Sequence, residues 1–370
     1  MQLPAPITVN REALAWACAL VIDVVGKSPF RSPLHLQTTE DSLIINGSNL
    51  TQCAQVTIPA TVKKNVDGAA AANLVQAIAA ASGRDVELWP SGRLSVQWGH
   101  ASKASVQWTE TSSEWANMPS EKNTKTRELS VAQLKQLLAV GLASSQDETR
   151  IHLVGVNIGE GIIGASDGHR GHLVLTSELA DIGKDLQSPT LPVKFLSTID
   201  KLSNSVDPVK LEFSKTHCAC TMQTDKGEVK IWNKLSDTEF PNIRAIVPSS
   251  TEWRFSVKTR DFADILTRAK TSGEAGVGLK PCSDGIEVTA TGEAMDFYDT
   301  IEVDWLVDDE KAMGKVGVNP KYLLDACKAL AGSDTVIVTG NDPMSPIAVS
   351  ARSTLDAKDS ILCIIMPMRL

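Results

Sequence analysis

Three stretches of the chain open alike, with a short extended run followed by apolar residues at helical spacing. They are ITVNREALAWACALVIDVV from Ile7, RELSVAQLKQLLAVGLASS from Arg127 and EWRFSVKTRDFADILTRAK from Glu252. Apolar positions recurring every three or four residues predict an amphipathic helix, and alternation before them predicts a strand. Strand-like runs broken by Gly, Asn or Asp turns come next. A second short helix is predicted in each: AAAANLVQAIAAASG from Ala69, PVKFLSTIDKLSN from Pro192 and NPKYLLDACKALAG from Asn319. Two of these carry Pro in the first turn and two end in Gly, the usual helix boundaries. The pattern predicts an α+β chain of three similar units. Their expected bounds are 1–120, 126–248 and 251–370, with linkers near SSEWANMPSEKNTK (112–125) and VPSSTEW (247–253).

The helices have two kinds of face. Leu196, Ile199 and Leu202 form one apolar stripe, leaving Lys194 and Lys201 on the opposite face with Thr198. Leu323, Ala326, Cys327 and Leu330 form another, with Lys321 and Lys328 pointing away. Arg260 and Arg268 flank Asp264 on the third opening helix, and Lys135 stands on the second. The alanine-rich helix of the first unit has no basic residue, so that unit's cations are Arg11 and, in the loop GKSPFRSP, Lys27 and Arg31. Lysines on a wet helix face are ordinarily solubility residues. Their repetition makes them candidates for one surface that attracts phosphates without reading sequence. The net charge of −8 confines such a surface to one face.

Composition narrows the class. The chain has 370 residues, 42% hydrophobic and 22% charged, as globular proteins do. No apolar run is long enough to span a bilayer, and MQLPAPITVN lacks the basic-then-apolar order of a signal peptide. Seven scattered cysteines fit a reducing compartment, hence the cytoplasm. Catalytic motifs fail one by one. GEGIIG (159–164) is followed by a turn rather than a helix, so it predicts a hairpin and no dinucleotide site. Asp167, His169 and His172 in DGHRGH, and HCAC (217–220), lack further partners at ligand spacing. DDE (308–310) predicts a solvated acidic turn. No Walker A loop or nucleophile elbow occurs, and six dispersed histidines offer no oriented base. The expectation is a protein that is not an enzyme and uses no metal or cofactor.

SDGHR (166–170), FPNIRAIVP (240–248) and MPMRL (366–370) resemble, in order and spacing, three signature segments of the bacterial beta sliding clamps of DNA polymerase III. GKSPFRSPL (26–34), INGSNL (45–50), TRIHLVGV (149–156) and NPKYLLDACKAL (319–330) resemble further parts of that family, so the resemblance covers the whole chain. It implies the DNA-clamp fold: a head-to-tail homodimer closing into a ring around duplex DNA, with helices lining the hole. It implies a processivity factor that tethers the catalytic subunit of the polymerase, is loaded by a clamp loader, and works in the cytoplasm at the nucleoid without membrane contact. Duplex DNA, encircled without regard to sequence, would meet Arg11, Lys27, Arg31, Lys135, Lys194, Lys201, Arg260, Arg268, Lys321 and Lys328.

The resemblance also implies an apolar groove for linear peptides of polymerases, the clamp loader and repair proteins. The matching positions are Arg150, Leu153, Ser166, Gly168, His169, Arg170, Pro241, Ile246, Val247, Tyr322, Ser345, Ile364, Met366, Pro367, Met368, Arg369 and Leu370. Methionine suits such a groove, because its unbranched thioether adapts to different occupants. The segment CII is expected to pair as an edge strand while MPMRL lines the groove. Gly171, Ile151, His152 and Ala245 depart from the family pattern there. For the subunit contact, Val106 and Trp108 are the apolar candidates, facing the stretch RAKTSGEAG (268–276). The alternative is a clamp-like paralogue or phage-borne protein that binds replication partners with weak ring closure.

Overall fold

A computed structural model describes residues 6–28, 33–99, 102–110, 124–147, 149–186, 188–203, 208–236, 238–272, 276–293, 295–307, 313–352 and 360–370. Arg31, most of the linker at 112–125, residues 273–275 and the DDE turn lie outside the described residues. The helices among those described are α1 (Arg11–Val25), α2 (Leu74–Ala79), α3 (Val131–Gly141), α4 (Ala180–Asp185), α5 (Val193–Leu202), α6 (Thr259–Lys270) and α7 (Pro320–Ala329). Strands Ile7–Asn10, Lys125–Leu129 and Trp253–Lys258 run directly into α1, α3 and α6, as the three openings predict. Asn10 caps α1 by accepting the Ala13 N–H at 3.0 Å, and Asn319 caps α7 by accepting that of Lys321 at 2.9 Å.

One helix is much shorter than expected. Ala69 and Ala70 belong to the strand Asp67–Ala70, paired to Leu34–Thr38 on one side and to Ser102–Glu110 on the other. Only Leu74–Ala79 is helical. Alanine fits a crowded strand between two partners, and ladder hydrogen bonds outweigh its helix propensity. Helix α4 was not expected at all.

Contacts divide the chain into two compact units, residues 1–131 with 197–235 and residues 132–196 with 236–370. The second dividing point falls inside α5. In the first unit, twelve strands form one sheet. Ile7–Asn10 pairs with both Asp85–Ser91 and the far end of Gln52–Val62, so the order of eight of these strands returns on itself. The near end of Gln52–Val62 pairs with Glu228–Lys234, extending the sheet. Helix α1 buries Leu14, Ala17, Cys18 and Val21 against this sheet.

The second unit holds a nine-stranded and a four-stranded sheet. GEGIIG is the predicted hairpin, joining Val156–Gly159 to Ile162–Ser166 with Gly161 at φ 81°. A core of Trp253, Phe255, Phe262, Leu266 and Leu323 lies where α6 and α7 pack together. The predicted stripe of α7 is buried as expected. Thr198 of α5 is a correction: it is 5% exposed, and the helix buries Phe195, Leu196, Thr198 and Ile199 together. HCAC is a strand whose Cys218 and Cys220 point inward, and burial pushes the Cys220 thiol up to about 12.

Gly47 lies directly beneath Val21 and Val25 of α1. A Cβ there would sit 2.3 Å from Val21 Cγ1. Gly47→Ala is expected to lower stability by about 1–3 kcal/mol through overpacking, read as a drop of several degrees in Tm.

Candidate functional site

The strand Leu362–Ile365 is not the edge strand expected. It lies between Arg170–Leu175, with Gly171 opposite Ile364, and Ile347–Ser350, with Ala348 opposite Ile364. Both edges of its backbone are therefore satisfied. One face of this sheet buries Leu173, Ala348, Leu362 and Ile364 with Ile243 of a 3₁₀ turn, Ile243–Ile246. Phe240, Ile246 and Val247 pack on that cluster and stay partly exposed. Gly171 contributes no side chain here, and a Cβ would sit 3.4 Å from Ile246 Cδ1.

Beyond Ile365 the chain crosses from one sheet to the other. The Met366 N–H donates to the His169 carbonyl at 2.9 Å, and the Met368 N–H donates to the Gly317 carbonyl at 2.8 Å. Pro367, between them, has no N–H to place. Leu370 rests on glycines: a Cβ at Gly276, Gly278 or Gly317 would lie 2.8–3.0 Å from its side-chain carbons. The backbone of the tail is thus fixed while Met366 and Met368 keep over a third of their surface in water. Ile151 and Met344 are other large apolar side chains left exposed in this unit.

Arg170 is the charged centre of the site and is itself buried. Its Nε donates to Asp167 at 3.0 Å, one terminal nitrogen to Asp325 at 2.7 Å, and the other to the Leu142 carbonyl at 2.7 Å. Its guanidinium lies 4.5 Å above the centre of the Tyr322 ring. The Tyr322 hydroxyl bonds Asp167; burial first, then the Asp167 charge, raise its pKa. Removing one partner from a buried ion pair typically costs about 3–5 kcal/mol, because the other charge is left unpaired. Asp325 is a residue the sequence reading missed. Its signal was there: an acidic residue inside the buried stripe of α7, three positions from both Tyr322 and Lys328.

Around this centre the expected residues take definite places. Gly168 turns the chain at φ 90°, and Ser166 accepts its N–H while donating to the Arg170 carbonyl. Asp167 accepts the N–H groups of His169 and Arg170, so it is a turn-former and an ion partner. His169 is exposed, whereas His172 is fully buried. Arg150 donates to the Asp167 carbonyl at 3.1 Å, Leu153 is buried, and Pro241, Ala245 and Arg369 are exposed. His152 is partly exposed. Ser345 donates to Asp342, which lowers that carboxyl's pKa.

The candidate cations are surface residues with differing ties. Lys27, Lys135, Lys194, Lys201, Arg260 and Lys321 are exposed. Arg11 is half-buried and donates to the carbonyls of Gly83 and Ala81. Arg268 pairs with Asp299 at 2.7 Å, and Lys328 with Asp325 at 3.5 Å. Val106 and Trp108 are a correction. They are 2% and 5% exposed within this single chain and leave almost no apolar surface for a partner. Alternation along Ser102–Glu110 turns these two inward and leaves Lys103, Ser105, Gln107 and Thr109 outside.

Residues 244–369 match the family model described as DNA polymerase III beta subunit, C-terminal domain. A Beta sliding clamp of Staphylococcus aureus (strain Mu50) is 24% identical over 364 residues, covering 92% of each chain. The DNA polymerase sliding clamp from Bacillus subtilis superposes with a TM-score of 0.84 at 19% identity, covering 99% of this chain and 100% of that one. That from Caulobacter crescentus gives 0.83 at 23%, with the same coverage. A DnaN sliding clamp from Bartonella birtlesii, bound to griselimycin, gives 0.83 at 20% and covers 99% of each chain. The chain is thus similar over nearly its whole length to beta sliding clamps and has their fold. At such identities the solved clamps carry over the fold, so the roles of single residues rest on this chain's own geometry.

Two outcomes are expected. Burial first, and the Arg170 charge in addition, push the His172 imidazole down to about 4, while the Ala139 carbonyl, Asp325 and Asp167 oppose this. The unfolded chain therefore takes up a proton below pH 6.5 that the folded chain refuses until about 4. Stability is complete above 6.5 and is lost as pH falls, by about 2 kcal/mol between pH 7 and 5 from this group. Urea midpoints should show that loss, and His172→Gln should flatten it. Separately, Gly317→Ala and Leu370→Ala should both loosen the tail and speed peroxide oxidation of Met368 several-fold, read by mass spectrometry.

Proposed function

We propose that the protein is a DNA sliding clamp: two copies close head-to-tail around duplex DNA and tether the replicative polymerase. The observation that carries this is the full-length clamp fold together with an anchored, half-exposed methionine tail beside an apolar cluster. Three domains per chain, 1–120, 126–248 and 251–370, are proposed from the three strand-to-helix openings. The proposed DNA-facing residues are the exposed cations of α3, α5, α6 and α7 with Lys27, and in part Arg11. Their attraction to phosphate is weak and salt-screened, as sliding needs. The groove built on Ile246, Val247, Ile364, Met366 and Met368 takes linear peptides of polymerases, the clamp loader and repair proteins. The proposed setting is the cytoplasm, at the nucleoid.

Ring closure is assigned to backbone edges rather than to the side chains of Val106 and Trp108. Residues 102–106 pair on one side only, with Arg93–Trp98, and Phe297–Ile301 pairs only with Gly285–Ala290 among the described residues. Two such open edges on different copies can complete each other's ladders. The burial of Val106 and Trp108 leans toward the rival reading, a clamp-like protein with weak ring closure, while the whole-length likeness to solved clamps supports the main one.

Sedimentation at micromolar concentration should give a dimer. Griselimycin at a hundred times its Kd should stabilise the protein by about 2.7 kcal/mol, a Tm rise of several degrees. The dimer should stay on nicked circular plasmid after loading and leave linearised plasmid. A monomer at every concentration with no response to griselimycin would sink the clamp reading.

A further inference from the structure

The ion pairs at Arg170 do not stop at the groove. Asp325 sits on α7 with one carboxylate oxygen 2.7 Å from Arg170 and the other 3.5 Å from Lys328 Nζ. Lys328 is 68% exposed and is one of the proposed DNA-facing cations, whereas the Arg170 side chain is 4% exposed and stacks on Tyr322 of the groove. The unbroken series is Lys328, Asp325, Arg170, then Asp167 and the Tyr322 ring. All of it lies in one compact unit, with Tyr322, Asp325 and Lys328 carried by the single helix α7.

We infer that Asp325 is a positioning residue shared by the DNA-facing surface and the peptide groove, so that a phosphate taking Lys328 shifts how Arg170 sits against Tyr322. This rests on the clamp reading above. The physical reason is competition for one carboxylate. With Lys328 beside it, Asp325 divides its charge between two cations. When a phosphate draws Lys328 away, the whole of that charge acts on Arg170 at 2.7 Å. Arg170 is held on its other side by Asp167 and on its third by the Leu142 carbonyl. The guanidinium responds by moving across the Tyr322 ring rather than by leaving. Linkage requires the reverse as well: an occupant of the groove that fixes Arg170 and Tyr322 changes the hold of Asp325 on Lys328. A half-exposed pair of this kind is a weak interaction, so the expected coupling is modest, roughly two- to fivefold in affinity.

The chain has only two tyrosines, Tyr298 and Tyr322, and Tyr298 is exposed outside this network. Protein labelled with 3-fluorotyrosine therefore gives two fluorine resonances, assigned by Tyr298→Phe. A short linear duplex, which can thread a ring, is titrated at low salt while anisotropy of a dye on the same duplex reports binding. The Tyr322 resonance should move with DNA, and Lys328→Ala should abolish that movement. Because Lys328 is exposed, that variant folds; Asp325→Asn is the second variant and should shift the Tyr322 resonance without DNA. Griselimycin affinity should change two- to fivefold with DNA in the parent protein and not in Lys328→Ala. A Tyr322 resonance unmoved by bound DNA, or moved equally in Lys328→Ala, overturns the coupling and leaves the clamp reading standing. Absence of any DNA binding by anisotropy overturns both.

Discussion

The second unit depends on one backbone pairing. Leu362–Ile365 completes the ladders of Arg170–Leu175 and Ile347–Ser350, which lie far apart in sequence. Without it, both strands would expose a row of unpaired N–H and C=O groups in the middle of a sheet. The apolar cluster around Ile364, the hydrogen bonds of Met366 and Met368, and the placement of Arg170 all follow from that insertion. A tail that merely lay on the surface would present methionines at no fixed distance from Ile246.

Much of this was legible beforehand. Strand-to-helix openings, the stripes of α5 and α7, and the hairpin at GEGIIG follow from periodicity and turn chemistry, which act locally. The alanine run at 69–72 misled because alanine is compatible with both states, and the choice was made by Leu34–Thr38 and Ser102–Glu110, which no local pattern reveals. The position of the tail strand inside its sheet was hidden for the same reason. Thr198 was put on the wet face by spacing alone, whereas its hydroxyl side of α5 is buried with Phe195. Val106 and Trp108 look like interface residues because they are large and apolar; alternation alone would have sent them inward.

For the candidate site, resemblance supplied positions and the structure supplied causes. Arg170 keeps its place over the Tyr322 ring because Asp167 and Asp325 hold it there, and Asp325 drew no role from the segment NPKYLLDACKAL that contains it. Gly276, Gly278 and Gly317 form a floor on which Leu370 rests. Such a floor is a negative feature, the absence of side chains at three places brought together by folding. No spacing rule finds it.

The late position of Leu362–Ile365 also bears on how the protein is made. Its partner strand Arg170–Leu175 leaves the ribosome almost two hundred residues earlier, and at ordinary elongation speeds that is on the order of ten seconds or more. For that interval the nascent sheet lacks an inner strand and its apolar face is uncovered, a state open to chaperones and to mispairing. A ribosome that stalls short of residue 362 yields a polypeptide with no strand to join Arg170–Leu175 to Ile347–Ser350.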